Sequence, residues 1–272
     1  MKWFSGALAV GAFAVLYLLE KKRPLRRQVE SKEIETVRNL AIASFAAVIF
    51  NYLEKPVTGK LTAFVERNNF GILKIFRLPK FAETVLAVVL LDYTLYHWHV
   101  LTHKLPFLWR FHKIHHADRD LTASTAVRFH FGEITISVLF RAGQILIIGV
   151  SPYALQIWQT LLFASVFFHH SNIKLPKDFE RKLEKIMMTP RLHGIHHSAE
   201  EAEMNSNWSS GLTVWDFLHG TFLSGIPQNE ITIGVKNMIE ENTVTIGKML
   251  AAPFLKDKKN GKTDFCKSNL SE

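Results

Sequence analysis

The stretch Asp92-Tyr93-Thr94-Leu95-Tyr96-His97-Trp98-His99-Val100-Leu101-Thr102-His103 decides how this chain folds. It continues an apolar block, residues 81–101, that is long enough to cross a membrane as a helix. On an α-helix, the polar residues at positions 92, 96, 99 and 103 share one stripe. Ionisable side chains in a membrane span are costly and usually functional. We therefore expect His99 and His103 to bind a metal, with Asp92 accepting an imidazole N–H.

The remaining histidines are also clustered. Of thirteen in the chain, eight fall into three groups: His99-x-x-x-His103, His112-x-x-His115-His116 and His193-x-x-His196-His197. A further pair, His169-His170, lies between the last two groups. On a helix the second group covers an arc of about 100°, so its three imidazoles can face one centre. Imidazole binds iron, copper and zinc, so the repeated spacing predicts a metal site but leaves the metal open.

Composition places this site beside a membrane. The 272 residues are 48% hydrophobic with a mean hydropathy of +0.08, and basic stretches separate the apolar blocks. The single Cys266 excludes an internal disulfide and a cysteine-rich zinc site. We expect four or five membrane spans, of which the second is short for a span. They are residues 3–19, 39–53, 81–101, 134–150 and 153–168.

Basic residues set the expected orientation of these spans. The strongest basic cluster is residues 21–27, which the positive-inside rule places in the cytoplasm. The N-terminus is then outside, and all histidine clusters lie on the cytoplasmic side of a multi-pass membrane protein. Residues 54–80 would lie outside despite six lysines and arginines, or they lie flat in the headgroup layer. The net charge of +9 fits contact with anionic lipid, and we expect no nucleic-acid partner.

These motifs resemble those of the fatty acid hydroxylase and sterol desaturase superfamily, membrane enzymes with histidine boxes around two irons. Residues 92–103 are similar to the first box, 108–116 (LWRFHKIHH) to the second and 189–198 (TPRLHGIHHS) to the third. Further matches are residues 128–133 (RFHFGE), 168–172 (FHHSN) and 207–216 (NWSSGLTVWD), within a resemblance that covers residues 85–235. Val100 and Phe131 stand where many members have arginine and proline, which leaves the subfamily open.

The resemblance implies an all-α integral membrane protein in which four to five transmembrane helices carry a cytosolic helical cap around a dinuclear metal site. It implies a membrane anchor and interfacial segment (1–80), a catalytic domain (81–235) and a C-terminal segment with a basic tail (236–272). No catalytic residue is expected beyond the metal site. The implied metal ligands are His99, His103, His112, His115, His116, His170, His193, His196 and His197. Further ligands, or residues that support ligands, are His130, His169 (the alternative to His170), Asp92, Asn172 and Asp216.

The resemblance also implies the chemistry. Two Fe ions, replaceable by Zn in purified protein, use O2 as co-substrate to hydroxylate or desaturate an unactivated C–H bond of a lipid, such as a sterol or a fatty acyl chain. The lipid is expected to enter from the bilayer. The chain has no G-x-G-x-x-G turn and no haem domain, so electrons must come from a separate cytochrome, ferredoxin or reductase. The alternative is a non-redox zinc or metal-handling membrane protein on the same scaffold.

Overall fold

The structure, a computed structural model, describes residues 2–239 and 245–255. Regular structure within these residues is entirely helical, with three isolated β-bridges and no strand. The expected all-α class is therefore confirmed. The predicted basic tail begins at residue 256 and lies outside the described residues.

The first apolar blocks form one helix and one long helical run. Helix α2 passes into α3 through a π-helix, Phe50–Glu54, so the second block extends well beyond residues 39–53. The run is interrupted at Asn69, which adopts a left-handed conformation with φ 47°. The helices are α1 (Lys2–Lys22), α2 (Lys32–Ile49), α3 (Lys55–Asn68) and α4 (Ile72–Ile75).

Four further helices carry the first two boxes and the histidine pair. A single extended residue, Leu105, separates α5 from α6, and Pro106 fits the first helical position because it needs no N–H partner there. Gly149 ends α7 with φ 84°, and the side chain of Ser151 accepts the N–H of Ala154 to begin α8. These helices are α5 (Lys80–Lys104), α6 (Pro106–His116), α7 (Phe131–Ile148) and α8 (Pro152–His170).

Short helices and loops complete the described chain. Helix α10 begins after Thr189, whose side chain accepts the N–H of Leu192, and it carries the third box. The others are α9 (Lys177–Leu183), α10 (Pro190–His196), α11 (Glu201–Met204), α12 (Val214–His219), α13 (Lys236–Ile239), α14 (Ile246–Ala251) and the 3-10 turns Thr125–Val127 and Ala252–Phe254.

Among the residues that the structure describes, three helical runs are long and apolar enough to cross a membrane: Lys32–Ile75, Lys80–Lys104 and Phe131–Ile148. They contain the second and third predicted spans and all but the last two residues of the fourth, and they support the assignment of a membrane protein. The first and fifth predicted spans form helices α1 and α8, which are not among these three. The number of spans and their orientation remain predictions.

The larger of two apolar clusters among the described residues lies away from the histidines, whereas the smaller one, Ile42, Ile114 and Met249, includes a residue of the second box. Buried Val65, Leu91, Ile145 and Trp158 join α3, α5, α7 and α8 in one cluster. The histidines lie at the other end of α5 and α8, in the last turn or two of each helix. The bundle thus holds the ends of α5 and α8 side by side.

A polar strap closes this end of the bundle. We use this name for residues 23–31, the connection between α1 and α2. The side chain of Asn172, just after α8, accepts the N–H of Arg26 (2.8 Å) and donates to its carbonyl (2.9 Å). The buried guanidinium of Arg26 donates to the carbonyl of Pro190 (3.1 Å) and to Gln228 (2.6 Å). The strap therefore ties α8 to α10, the two helices that bear the later histidines.

Candidate metal centre

Nine buried histidines from four helices converge at one end of the bundle. None is more than 8% exposed. They form two groups, and within each group the candidate donor atoms lie within 4.8 Å of one another. The first group is His99, His103, His112, His116 and His196, and the second is His115, His170, His193 and His197. These nine residues are the histidines that the sequence predicted as ligands.

Ring nitrogens inside the groups are spaced as donors to a shared ion would be. The Nε2 atoms of His99 and His196 are 3.0 Å apart. In the second group, Nε2 of His170 is 3.0 Å from those of both His115 and His193. Two nitrogens bound at right angles to one ion, each at about 2.0–2.1 Å, would be separated by about 3 Å. The spacing therefore fits imidazoles arranged around a metal.

The helix period divides each box between the two groups. His112 and His116, four residues apart on α6, belong to the first group, whereas His115 belongs to the second. On α10 the division is reversed: His193 and His197 join the second group and His196 joins the first. The spacing of the second box allowed its three imidazoles to face one centre, but the structure divides them between the two groups. Residues i and i+4 share a helix face, and the histidine between them points to the neighbouring group.

Four of these imidazoles are held by hydrogen bonds at Nδ1, which leaves Nε2 for a metal. The acceptors for three of them are backbone carbonyls: Trp208 for His99 (2.7 Å), Val166 for His170 (2.8 Å) and Ser206 for His196 (2.9 Å). The fourth acceptor is the carboxylate of Glu133, 2.8 Å from Nδ1 of His112. Such partners fix the tautomer and the ring orientation of metal-binding histidines.

Burial favours the neutral form of several clustered imidazoles. It lowers the pKa of His196 to about 3. Burial, followed by the neighbouring imidazoles, also lowers the pKa values of His115, His116, His193 and His197 well below 6.5. Neutral imidazole is the form that binds metals. These five imidazoles are therefore in the form that binds metals at neutral pH.

Several nitrogens in the cluster have no hydrogen-bond partner among the described residues. They include both ring nitrogens of His103 and of His116, and Nε2 of His112. All three belong to the first group. Buried polar atoms without partners are rare in folded proteins and point to an ion or a water molecule. Together with the nitrogen-only donor set, they show that these residues fit a metal.

The additional residues predicted at the site lie around the two groups rather than within them. The ring of His169 is buried 4.2 Å from that of His193, but His170 rather than His169 belongs to the second group. His130 caps α7, with Nδ1 accepting the N–H of Gly132 (2.9 Å) and Nε2 3.1 Å from the carbonyl of Leu250. Asn172 holds the polar strap.

Asp216 and Asp92 bind the segment from Trp208 to Trp215, which lies beside the two histidine groups. Asp216 accepts the N–H groups of Trp208 (2.8 Å) and Ser209 (3.2 Å). Asp92 accepts the indole N–H of Trp215 (2.7 Å) and the backbone N–H of Leu212 (3.1 Å). The expectation that Asp92 accepts an imidazole N–H differs from these contacts, because the aspartate lies about 10 Å before His99 along α5.

Glu133 and the carbonyl of Trp208 were not among the predicted site residues, although both lie in segments that match the family, residues 128–133 and 207–216. A carboxylate near the start of an otherwise apolar helix was the available signal for Glu133. The Trp208 carbonyl carries no such signal, because any residue type provides one. The ring of Phe129 stacks on the imidazole of His115, with the two ring centroids 4.5 Å apart.

Comparison with known proteins assigns the chain to a family. The sequence profile of the fatty acid hydroxylase family matches residues 84–221, which include all nine clustered histidines. The chain belongs to this family. It is therefore an oxidoreductase, and the resemblance inferred from the boxes is confirmed.

The chain is also similar in sequence to three named enzymes. The ornithine lipid hydroxylase OlsE of Rhizobium tropici is 26% identical over 261 residues, which are 93% of this chain and 76% of that protein. The alkylglycerol monooxygenase of Danio rerio is 33% identical over 137 residues, 50% of this chain and 30% of that protein. The cholesterol 25-hydroxylase of Mus musculus is 24% identical over 156 residues, 56% of this chain and 51% of that protein. No solved structure matches the chain.

The names of these relatives favour one of the two functions considered. All three are hydroxylases or monooxygenases, so the predicted oxygenase class is supported and the non-redox alternative is not. The chain spans most of the Rhizobium protein but about half or less of the other two. The predicted domain boundaries, 1–80, 81–235 and 236–272, remain predictions.

Proposed function

We propose that this protein is a di-iron membrane enzyme that uses O2 to hydroxylate a C–H bond of a membrane lipid. The observation that carries the proposal is the division of nine buried imidazoles into groups of five and four. When bound, two irons supply the capacity to activate O2 and to oxidise an unactivated C–H bond. We assign one ion to each histidine group.

The contribution of the chain is to fix the donors and to exclude water. Carbonyls of Trp208, Val166 and Ser206 and the carboxylate of Glu133 set the orientation of imidazoles from both groups. The clustered histidines are buried, and the ring of Trp208, which is 2% exposed, packs against those of His103 (4.6 Å) and His196 (5.3 Å). A closed, preorganised site protects a reactive oxidant from side reactions.

The location of the site supports a lipid substrate. The histidines of α5 lie in the last two turns of a helix that is long and apolar enough to span a membrane. The three relatives are named for oxygenation of an ornithine lipid, an alkylglycerol and cholesterol, which all contain long apolar parts. Because all three names describe oxygen insertion, we propose hydroxylation rather than desaturation.

The remaining features of the proposal follow the sequence prediction. The enzyme is multi-pass, its metal site faces the cytoplasm, and a separate electron donor of the cytochrome, ferredoxin or reductase type supplies electrons. The basic residues 21–27 support this orientation, because the polar strap that contains several of them lies on the histidine end of the bundle.

Metal analysis tests the proposal directly. Protein produced with iron-57 and purified anaerobically should contain two irons per chain with the Mössbauer signal of a coupled pair. The double variant His115→Ala and His196→Ala removes one donor from each group and should lose that signal. The matched control is His97→Ala with His219→Ala, two histidines outside both groups, which should retain it.

Activity then tests the chemistry. With an electron donor supplied, the parent protein and the control variant should convert a lipid to a hydroxylated product only when O2 is present. Zinc that iron cannot replace, together with no O2-dependent loss of any lipid in an extract of host membranes, would contradict the proposal. That result would favour a non-redox metal protein on the same scaffold.

A further inference from the structure

An apolar surface beside the metal centre has no protein covering it in the described chain. It is formed by Leu212 and by three residues of α12, Val214, Phe217 and Leu218. Their exposed fractions are 36%, 46%, 48% and 65%. From Leu212 to His219 the sequence has no lysine or arginine, and its one acidic residue, Asp216, is fully buried. A surface that is apolar and free of exposed carboxylate and ammonium groups is unusual for a helix that faces water.

The contacts of this segment place it alongside α5. Asp92 accepts hydrogen bonds from the N–H of Leu212 and from the indole of Trp215. The ring of Tyr93 lies 4.8 Å from that of Trp215 and 5.8 Å from that of His219. On the other side, Ser165 of α8 donates to the carbonyl of Ser210 (2.7 Å). The segment is therefore fixed to α5 and α8 at several points.

The position of Asp92 on α5 determines the depth of the segment. Helix α5 has 25 residues, and Asp92 is the central one. A helix of this length extends about 37 Å, whereas the hydrocarbon core of a bilayer is about 30 Å thick. Any placement of that core along a spanning α5 contains the midpoint of the helix. Residues that contact Asp92 and Tyr93 are then at the depth of the acyl chains.

The energetics of Asp92 agree with this depth. A carboxylate in the middle of a span is costly when it faces lipid. Leu212 and Trp215 each donate an N–H group to this carboxylate, so its hydrogen bonds are made within the protein. The backbone approaches closely here: a Cβ on Gly211 would lie 2.3 Å from Oδ1 of Asp92.

We propose that residues 210–219 enter the bilayer beside α5 and that α12 presents Leu212, Val214, Phe217 and Leu218 to lipid acyl chains. The partner of this surface is the hydrocarbon of the membrane rather than another protein. The inference goes beyond the proposed function and rests only on α5 crossing the membrane. Residues 210–219, which lie near the end of the region that matches the family, are then embedded in the membrane.

Spin labels can measure the depth of α12 in the full chain. In a Cys266→Ser background, which leaves no native thiol, single cysteines replace Leu218 on α12, Leu86 on α5 and Glu201 on α11. Leu86 is 42% exposed on the spanning helix and serves as the lipid reference, and Glu201 is exposed and serves as the water reference. The labelled proteins are reconstituted in phosphatidylcholine and phosphatidylglycerol vesicles, and collision rates with O2 and with a water-soluble nickel complex are compared.

We expect the ratio of O2 to nickel collisions at Leu218 to match the ratio at Leu86 and to exceed that at Glu201 severalfold. A ratio at Leu218 equal to that at Glu201, with Leu86 in lipid, overturns the inference and indicates a surface for a water-soluble partner. If Leu86 is also in water, the spanning assignment of α5 fails, and the inference fails with it. Retention of the parent helix content by circular dichroism confirms that each variant is folded. No result requires turnover, so the outcome is independent of the proposed activity.

Discussion

Glu133 on α7 and His112 on α6 are joined by a 2.8 Å hydrogen bond between Oε1 and Nδ1, and both side chains are buried. The carboxylate lies in a helix that does not itself contribute any of the clustered histidines. The bond selects the His112 tautomer whose Nε2 is free, and that nitrogen has no other partner in the described chain. Glu133 thus acts on the first histidine group through His112.

The loss of this carboxylate should weaken metal binding. We expect Glu133→Ala to lower metal affinity or turnover by about 10–100-fold, the usual cost of removing a residue that orients a ligand. Glu133→Gln retains an acceptor and should lose less. Metal content after dialysis against a graded chelator measures the effect. Glu201→Gln, an exposed control, should match the parent, and an unaltered affinity in Glu133→Ala would exclude the orienting role.

Asn172 should matter for stability rather than for metal chemistry. Its side chain satisfies both the N–H and the carbonyl of Arg26 in a buried position. Asn172→Ala leaves both groups without partners, at a cost of about 1–3 kcal/mol for each. Chemical denaturation in detergent micelles measures the free energy of unfolding. Asn68→Ala, which removes an exposed bond within one helix, is the control, and equal losses in the two variants would contradict the prediction.

The sequence indicated which histidines come together but not how they divide into two groups. The spacing of the boxes and the family resemblance were enough to select the histidines that converge, because each box lies on one helical segment. The assignment of His115 and His196 to opposite groups from their neighbours depends on how α6 and α10 face each other. That packing involves residues about 80 positions apart, which no local pattern encodes.

The fold was predicted to a similar extent. Apolar blocks located the helices, but residues 54–68 continue the helix of the second block although their composition is more polar. Packing overrides composition here, because Thr58, Thr62 and Val65 are buried in the bundle. Glu133 was missed as a site residue for a related reason, since its partner is 21 residues away on another helix.

A side chain at position 211 should destabilise the protein while Asp92 is present, because the Asp92 carboxylate would have to move away from Leu212 and Trp215. A Cβ at this position would lie 2.3 Å from Oδ1 of Asp92, closer than non-bonded atoms can approach. We expect Gly211→Ala to reduce the free energy of unfolding in the parent and to have a smaller effect when combined with Asp92→Ala. The four proteins form a double-mutant cycle measured by denaturation in micelles. Gly59→Ala, where a Cβ would meet no atom within 4 Å, is the control.

The coupling energy between Gly211→Ala and Asp92→Ala tells whether the clash causes the loss of stability. If the clash is the cause, the destabilisation by Gly211→Ala is smaller without the carboxylate, and the coupling energy is clearly different from zero. Additive losses would show that Gly211 is required for a reason unrelated to Asp92.

Asp216 should affect one histidine group and spare the other. Its carboxylate holds the N–H groups of Trp208 and Ser209 and accepts the hydroxyl of Thr221 (2.7 Å), and the carbonyl of Trp208 in turn accepts Nδ1 of His99. An amide at this position presents an NH2 group to at least one of these donors. In Asp216→Asn we therefore expect the Trp208 carbonyl to shift and affinity at the first group to fall by about 10–100-fold.

Metal titration of the metal-free protein distinguishes the two groups in this variant. His115, His170, His193 and His197 make no hydrogen bond to Trp208, so the second group should keep its affinity and the titration should separate into a tight and a weakened phase. The exposed Asp178→Asn variant should titrate like the parent. Equal weakening of both phases would instead mean that Asp216 stabilises the whole segment, because a local change at His99 cannot reach the four donors of the second group.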